Sequence, residues 1–356
     1  MKTYTSNSWR VLLILLCSVV FLSSCSKDDD PPPPGEISEI DYQVEDAIAT
    51  LQLTFDPNQL ADISGNLAVS WSTTSSLISI TNANSPKAYV VYPDINEPEE
   101  VTIKFSVAKG SFTKAVEKNV TLPKLTEVRK FGIGKELQAE KSNNVSYDWY
   151  IDQGYTGTYS GLNCGPASVT MAIKWVDESF SKTTEDARHA LRPQGGWCYT
   201  SDLIQYLNNH QISNYTVALS NVSDLNQYLD AGNIMILCLD MFYIRNEQQA
   251  NYHVDKFYAT NSAEWGHFIV VKGYKKVDNN VFYEVYDPYS FGKKYDDNAI
   301  KGKDRYYRHT DLNKAVTVWW SYAIIVPKEG GMSAFKSDMH KVDPTKIEHK
   351  YGGVIE

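Results

Sequence analysis

Long apolar runs are nearly absent from this 356-residue chain. The longest, Val11 to Leu22, has twelve residues and is interrupted by Ser18. A membrane-spanning helix needs about 20 apolar residues, so no segment reads as a span. Basic charge is also short: 34 Lys and Arg against 43 Asp and Glu leave a net charge of −9. Phosphate contacts need a basic surface, so a general nucleic-acid binder is excluded. No Gly-rich phosphate loop marks an ATPase, and no recurrent His or Cys spacing marks a zinc site. No internal repeat is visible, and no sign of an organic cofactor appears. What is present is globular: 42% hydrophobic and 22% charged residues exclude wholesale disorder and collagen-like structure.

The N-terminus reads as a targeting segment. Lys2 and Arg10 form a basic leader, and the short apolar run ends in Leu22-Ser23-Ser24-Cys25. Leu, two small residues and Cys directly after an apolar core resemble a bacterial lipobox, which implies that Cys25 becomes the lipidated N-terminus. Residues 1–24 are then a signal peptide. The acidic tract Asp28-Asp29-Asp30 resembles the surface-export signal of some Gram-negative lipoproteins. With Pro31 to Pro34 it makes residues 25–36 an extended tether. The expected location is the cell envelope, lipid-anchored at the outer membrane or surface.

Two composition regimes follow. Across 37–123, Leu51-Gln52-Leu53-Thr54-Phe55, Leu67-Ala68-Val69-Ser70-Trp71 and Val101 to Val107 alternate apolar with polar residues, as strands with one buried face do. Turn-formers such as Asp56-Pro57-Asn58 and Asn96-Glu97-Pro98 separate them. Short, regularly spaced strands around Trp71 predict an all-β sandwich, and Val69 to Thr73 resembles bacterial immunoglobulin-like domains of surface proteins. The region has no Cys or His, so no chemistry is assigned to it. Residues 124–144 read as a linker or covering arm. From 145 to 330, helical patterns precede a run of strands, which predicts an α+β domain. Residues 331–356 form a tail.

Outside the leader, Cys25 would be acylated and Cys164, Cys198 and Cys238 remain. Three thiols cannot all pair within one chain. Cys164 sits in Asn163-Cys164-Gly165-Pro166-Ala167-Ser168, ahead of a good helical stretch. Pro166 fits a first helical turn, so Cys164 falls at a helix N-terminus, where partial positive charge favours a thiolate. Its own backbone N–H is then available to an oxyanion. Cys238 lies inside the apolar strand Ile234 to Leu239 and reads as core; Cys198 reads as structural.

A nucleophilic Cys needs a base. His267 opens the strand Gly266 to Tyr274, and Asp287 closes Val281 to Asp287. A hairpin with 275–279 as its loop would make the two direct cross-strand neighbours on one face. A one-residue slip would separate them. His253 is a reserve base within Met241 to Trp265, a polar segment expected to form a lid or a specificity wall. His189, His210 and His309 are weaker candidates.

The Asn163 to Ser168 motif, the Gly266 to Tyr274 strand and the Val285-Tyr286-Asp287-Pro288-Tyr289 end together resemble the bacteriocin-processing-peptidase-like group of papain-fold cysteine peptidases. The resemblance implies a papain-like α+β fold, Cys164 as nucleophile, His267 as general acid/base and Asp287 as orienting group. It also implies an upstream Gln as oxyanion donor. Gln153 is that candidate, eleven positions before Cys164, with 154–161 as a looped insertion. The reading is a multidomain chain ending in a thiol hydrolase that acts on a peptide or protein. No metal or other cofactor is expected. An inactive surface binding protein on the same fold and a thioester acyl transferase are the alternatives. Members that clip double-glycine leaders are joined to a transporter ATPase; without that motif, the substrate reads as an envelope or host protein, or a peptidoglycan peptide.

Overall fold

The computed structural model of the protein describes residues 39–328. The leader 1–24, Cys25, the tether 25–36 and the tail 331–356 lie outside the described residues. The chain divides into two units, Met1–Ile40 and Asp41–Glu356, and every element below belongs to the second.

Seven strands come first: β1 (Tyr42–Asp46), β2 (Leu51–Phe55), β3 (Leu67–Thr73), β4 (Ser79–Thr81), β5 (Lys87–Val91), β6 (Glu99–Lys109) and β7 (Phe112–Leu122). They form two antiparallel sheets, ordered β1-β2-β5-β4 and β3-β6-β7. Alternation carries the packing: Leu51, Leu53 and Phe55 point inward, as do Val101, Ile103, Phe105 and Val107. The sheets meet through aromatic rings, with Phe55 and Phe105 centroids 4.7 Å apart and Tyr42 edge-on to Trp71 at 5.0 Å. The polar end of the buried Trp71 is satisfied, its Nε1 donating to Ser85 O at 2.7 Å.

The remaining strands are β8 (Leu137–Ser142), β9 (Tyr215–Ala218), β10 (Ile234–Asp240), β11 (Gly266–Val277), β12 (Asn280–Tyr286), β13 (Arg305–Arg308) and β14 (Tyr322–Val326). They make one antiparallel sheet in the order β13-β12-β11-β10-β14-β9. Its helices are α2 (Cys164–Val176), α3 (Thr184–Leu191), α4 (Thr200–Asn209), α5 (Asn226–Asp230) and α6 (His309–Trp319). One face of the sheet, with Phe268, Val270 and Tyr286, packs against α2, α3 and α4. The other, with Ile269, Val271 and Val285, packs against α5 and α6. A strand covered on both faces is apolar along its length, as β10 is from Ile234 to Leu239.

The stretch 124–144 is not a free linker. Its helix α1 (Glu127–Lys130) buries Val128 among Val277, Phe282 and Tyr306. Arg129 forks onto the Asp46 carboxylate at 2.8 and 2.9 Å, joining the seven-stranded region to this domain. β8 pairs with β11 from Gly273 to Val277, beyond the reach of β10, so the sheet begins before residue 145.

The β11–β12 hairpin also differs from expectation. Its loop is two residues, Asp278 and Asn279, both with positive φ (49° and 64°), not 275–279. Tyr274 faces Tyr283, and that register alone would put Asp287 opposite Val270, on the face away from His267. A β-bulge at Lys272 corrects this: beyond it Val271 faces Val285 and Val270 faces Tyr286. Asp287 then follows opposite Ile269, two residues from His267 and on its face. The pair is diagonal rather than directly opposed.

The bulge is held by charge. Lys272 is fully buried, with Nζ 2.5 Å from Glu284 Oε1 and 2.7 Å from Asp304 Oδ1. Lys272→Ala would leave two carboxylates around a lost cation, which costs about 3–5 kcal/mol. Denaturant unfolding should show that loss; an unchanged midpoint would remove the bulge's electrostatic anchor from the account.

Candidate active site

Cys164 opens α2, a helix whose first ten residues are all buried. Pro166 stands in the first turn, where its missing N–H leaves no gap. The preceding Asn163 does not cap the helix with its side chain. Its amide instead donates to Thr156 O and Oγ1 at 3.0 and 2.9 Å and accepts from Arg188 Nε at 2.6 Å. The leading N–H groups of α2 are thereby left without that competitor. Arg188 is itself buried and holds Leu162 O at 2.5 Å and Gly196 O at 2.8 Å. It ties the loop before the thiol to the loop carrying Cys198.

His267 lies at the start of β11, where the sheet ends and its ring reaches the thiol. Its Nε2 is 2.7 Å from Asp287 Oδ1, with both side chains buried. The other ring nitrogen, Nδ1, is left for the thiol, to which His267 is hydrogen-bonded. Cys164, His267 and Asp287 therefore form one hydrogen-bonded chain.

Asp287 has no solvent exposure, so its charge must be met locally. Oδ1 accepts from His267 and from the Tyr289 N–H at 2.9 Å; Oδ2 accepts from the hydroxyls of Tyr258 at 2.8 Å and Tyr307 at 2.5 Å. Burial pushes its pKa up, but the charge and hydrogen bond of His267 and the other donors outweigh burial and lower it. For His267, burial disfavours the cation, yet the Asp287 carboxylate wins and raises the pKa to about 10. Burial likewise opposes the Cys164 thiolate, but the hydrogen bond and charge of His267, with the Phe268 and Gly165 N–H groups, lower its pKa. Both shifts favour the ionised pair, the Cys164 thiolate and the His267 cation.

Gln153 is buried in the 3-10 turn Gln153–Tyr155. Its N–H donates to Pro288 O at 2.8 Å, beside Asp287, and its Nε2 donates to Ser160 O at 2.9 Å, in the turn leading to Cys164. Gln153 thus bridges the loops before the thiol and after the carboxylate. Its Oε1 has no partner. Asp152 locks the same junction, accepting from Gly154, Phe291 and Gly292 N–H groups at 2.9, 2.8 and 2.8 Å.

The reserve base His253 is elsewhere. It is stacked between Phe131 and Tyr295, each 3.9 Å away by ring centroid, in the cluster around Val277 at the far end of β11. Burial lowers its pKa to about 4. The segment after β10 is a wall tied down at several points. Buried Asp240 accepts from Phe242, Glu264 and Trp265 N–H groups, closing both its ends, and buried Arg305 holds the carbonyls of Tyr252, Val254 and Asp255. A cavity of about 360 Å³ near Arg245, Arg308 and His309 contains none of these residues, and its two arginines are already paired with Asp311 and Asp255. Among the described residues, no cluster of His, Cys, Asp and Glu could hold a metal ion.

Sequence reasoning missed Arg188, Asp152, Tyr258 and Tyr307. A tyrosine in an apolar pattern reads as core, and only the fold turns its hydroxyl onto a carboxylate.

A model described as the Peptidase_C39 like family matches residues 150–313, which is less than half the chain. No curated protein matches. A solved structure of a C39-like peptidase from Bacillus anthracis is 13% identical with a TM-score of 0.37, covering 54% of this chain and 98% of its own. The family match supports a papain-like cysteine peptidase domain over the matched stretch.

Two measurements follow from this geometry. Burial pushes Cys198 up to about 12 and Cys238 well above its usual range, so of the three cysteines among the described residues iodoacetamide should label only Cys164, and rapidly, below pH 8. His267→Ala leaves burial uncompensated and should move that profile above an ordinary thiol's; an unmoved profile would contradict the pairing. Tyr307→Phe keeps the ring but removes a donor. A carboxylate with a lowered pKa stabilises the fold above its unfolded pKa and loses that contribution as pH falls. The variant's acid-unfolding midpoint, followed by circular dichroism, should therefore move to higher pH; no movement would mean that Tyr307 does not support the charge.

Proposed function

We propose that the chain is a cysteine peptidase or amide hydrolase in which Cys164 is the nucleophile, His267 the general acid/base and Asp287 the orienting carboxylate. The observation that carries this is the hydrogen-bonded chain from the thiol through His267 to Asp287. The thiolate attacks a peptide carbonyl, and the carbonyl electrons move onto oxygen. The Cys164 N–H at the head of α2 and the second Nε2 hydrogen of Gln153 receive that oxyanion. His267 protonates the departing nitrogen as the C–N bond breaks, leaving a thioester. Water, deprotonated by His267, then cleaves the thioester and restores the thiol.

The lipobox-like Leu22 to Cys25 supports a lipid anchor in the envelope of a Gram-negative-type bacterium, with Cys25 as the acylated residue. The strand orders β1-β2-β5-β4 and β3-β6-β7 support an immunoglobulin-like sandwich of the seven-stranded constant type, which would hold the peptidase domain away from the membrane.

Casein or a mixed peptide digest provides the test, with new N-termini counted by mass spectrometry. Cys164→Ala should abolish cleavage, a loss above about 10,000-fold. Gln153→Ala should lower kcat about 100- to 1000-fold. Cleavage by the Cys164→Ala protein at the parental rate would sink this reading.

A further inference from the structure

We propose that Tyr289, Phe291 and Tyr155 form a binding track on the His267 side of the site. It would take a bulky apolar or aromatic side chain from the leaving-group half of a peptide substrate. The inference rests on the thiol-hydrolase reading above.

The rings from His267 to Phe291 form a continuous series. Trp265 and Tyr289 have centroids 5.8 and 6.1 Å from the His267 ring and 5.2 Å from each other. Tyr289 is 4.7 Å from Phe291, which is 41% exposed. Tyr155, 77% exposed, belongs to the same patch: a Cβ on Gly292 would lie 2.2 Å from its hydroxyl, and one on Gly154 would lie 2.7 Å from Phe291 Cα. These glycines leave room for the rings. Phe291 also has φ 50°, a left-handed backbone that costs a non-glycine residue roughly 1 kcal/mol or more. Its N–H is held there by Asp152. An aromatic side chain kept in that conformation and turned to solvent adds little to a core. The Asp152 carboxylate beneath it is fully engaged by three backbone N–H groups, so the track offers apolar surface rather than charge.

The reaction fixes which half of the substrate meets this surface. His267 must give its proton to the leaving nitrogen, so the residues after the scissile bond lie on the His267 side. An apolar side chain there would shed water against the exposed rings.

The test uses the whole protein and a proteome-derived peptide mixture. New N-termini should be enriched in Phe, Tyr, Trp and Leu at the first or second position after the cut. A Tyr155→Ser/Phe291→Asn double variant keeps the turn, because Asn tolerates the left-handed region. It should lose the enrichment and about tenfold in kcat/KM on an aromatic-bearing peptide, while Cys164 labels with iodoacetamide at the parental rate. Parental cuts without this preference, or a preference intact in the double variant, overturn the track and leave hydrolysis standing. Slowed Cys164 labelling in the double variant also overturns it, assigning the rings to the fold. Absence of any parental cut removes the hydrolase reading and the track together.

Discussion

The Asp287 carboxylate is the group on which the rest of the site depends. A fully buried carboxylate is penalised by several kcal/mol unless its charge and lone pairs are met. Four donors meet it, and they come from separate parts of the chain: His267 from β11, Tyr307 from β13, Tyr258 from the wall after β10 and the Tyr289 N–H from its own loop. Each donor is useful only when its segment is docked. The ionised carboxylate therefore links the docking of three segments to the orientation of one imidazole. The tethering of the wall between β10 and β11 serves the same need, since it holds Tyr258, one of the two hydroxyl donors to Oδ2, in place.

The bulge at Lys272 is the second constraint, and it is one of parity. Side chains alternate along a strand, so one extra residue exchanges the faces of everything beyond it. The tight Asp278-Asn279 turn sets a register that would put His267 and Asp287 on opposite faces, and the bulge reverses it. Gly273 is part of the device. A Cβ there would lie 2.3 Å from Lys141 O of β8 and 2.6 Å from Glu284 Oε2. Buried Lys272 meanwhile turns to Glu284 and Asp304. The Lys272 ion pairs thus lie at the bulge that puts His267 and Asp287 on one face.

Much of this was legible in the residues. The alternating segments around Leu51, Leu67 and Val101 are strands β2, β3 and β6. The Cys164-Gly165-Pro166 run does begin a helix, and His267 and Asp287 do meet. The route to that meeting was not legible. A Lys-Gly pair inside an apolar strand shows a bulge only once Glu284, Asp304 and β8 surround it. β8 itself, Leu137 to Ser142, is mostly exposed and has no buried alternation; it is a strand because β11 outruns β10 and has an open edge. Tyr258 and Tyr307 pattern as core residues, and Asp152 as a turn-former. Their roles depend on contacts across 29, 20 and about 140 positions, which local periodicity does not carry.

The three thiols among the described residues separate burial from partnership. All are buried and unpaired by disulfides. Burial is the main cause that pushes Cys198 and Cys238 up, and of the three only Cys164, which has His267 beside it, is lowered. The same charges act on stability. A raised His267 contributes stability that is fully present below its unfolded pKa, near 6.5, and is lost as pH rises through about 10. A lowered Asp287 contributes stability that is present above the ordinary carboxylate range and is lost as pH falls through its folded pKa. The two windows overlap across neutrality. There the ionised Asp287 and the protonated His267 both support the fold, and they are also the forms that lower the Cys164 pKa. The charges that lower the Cys164 pKa are therefore the same ones that support the fold near neutrality, so the two effects do not oppose each other.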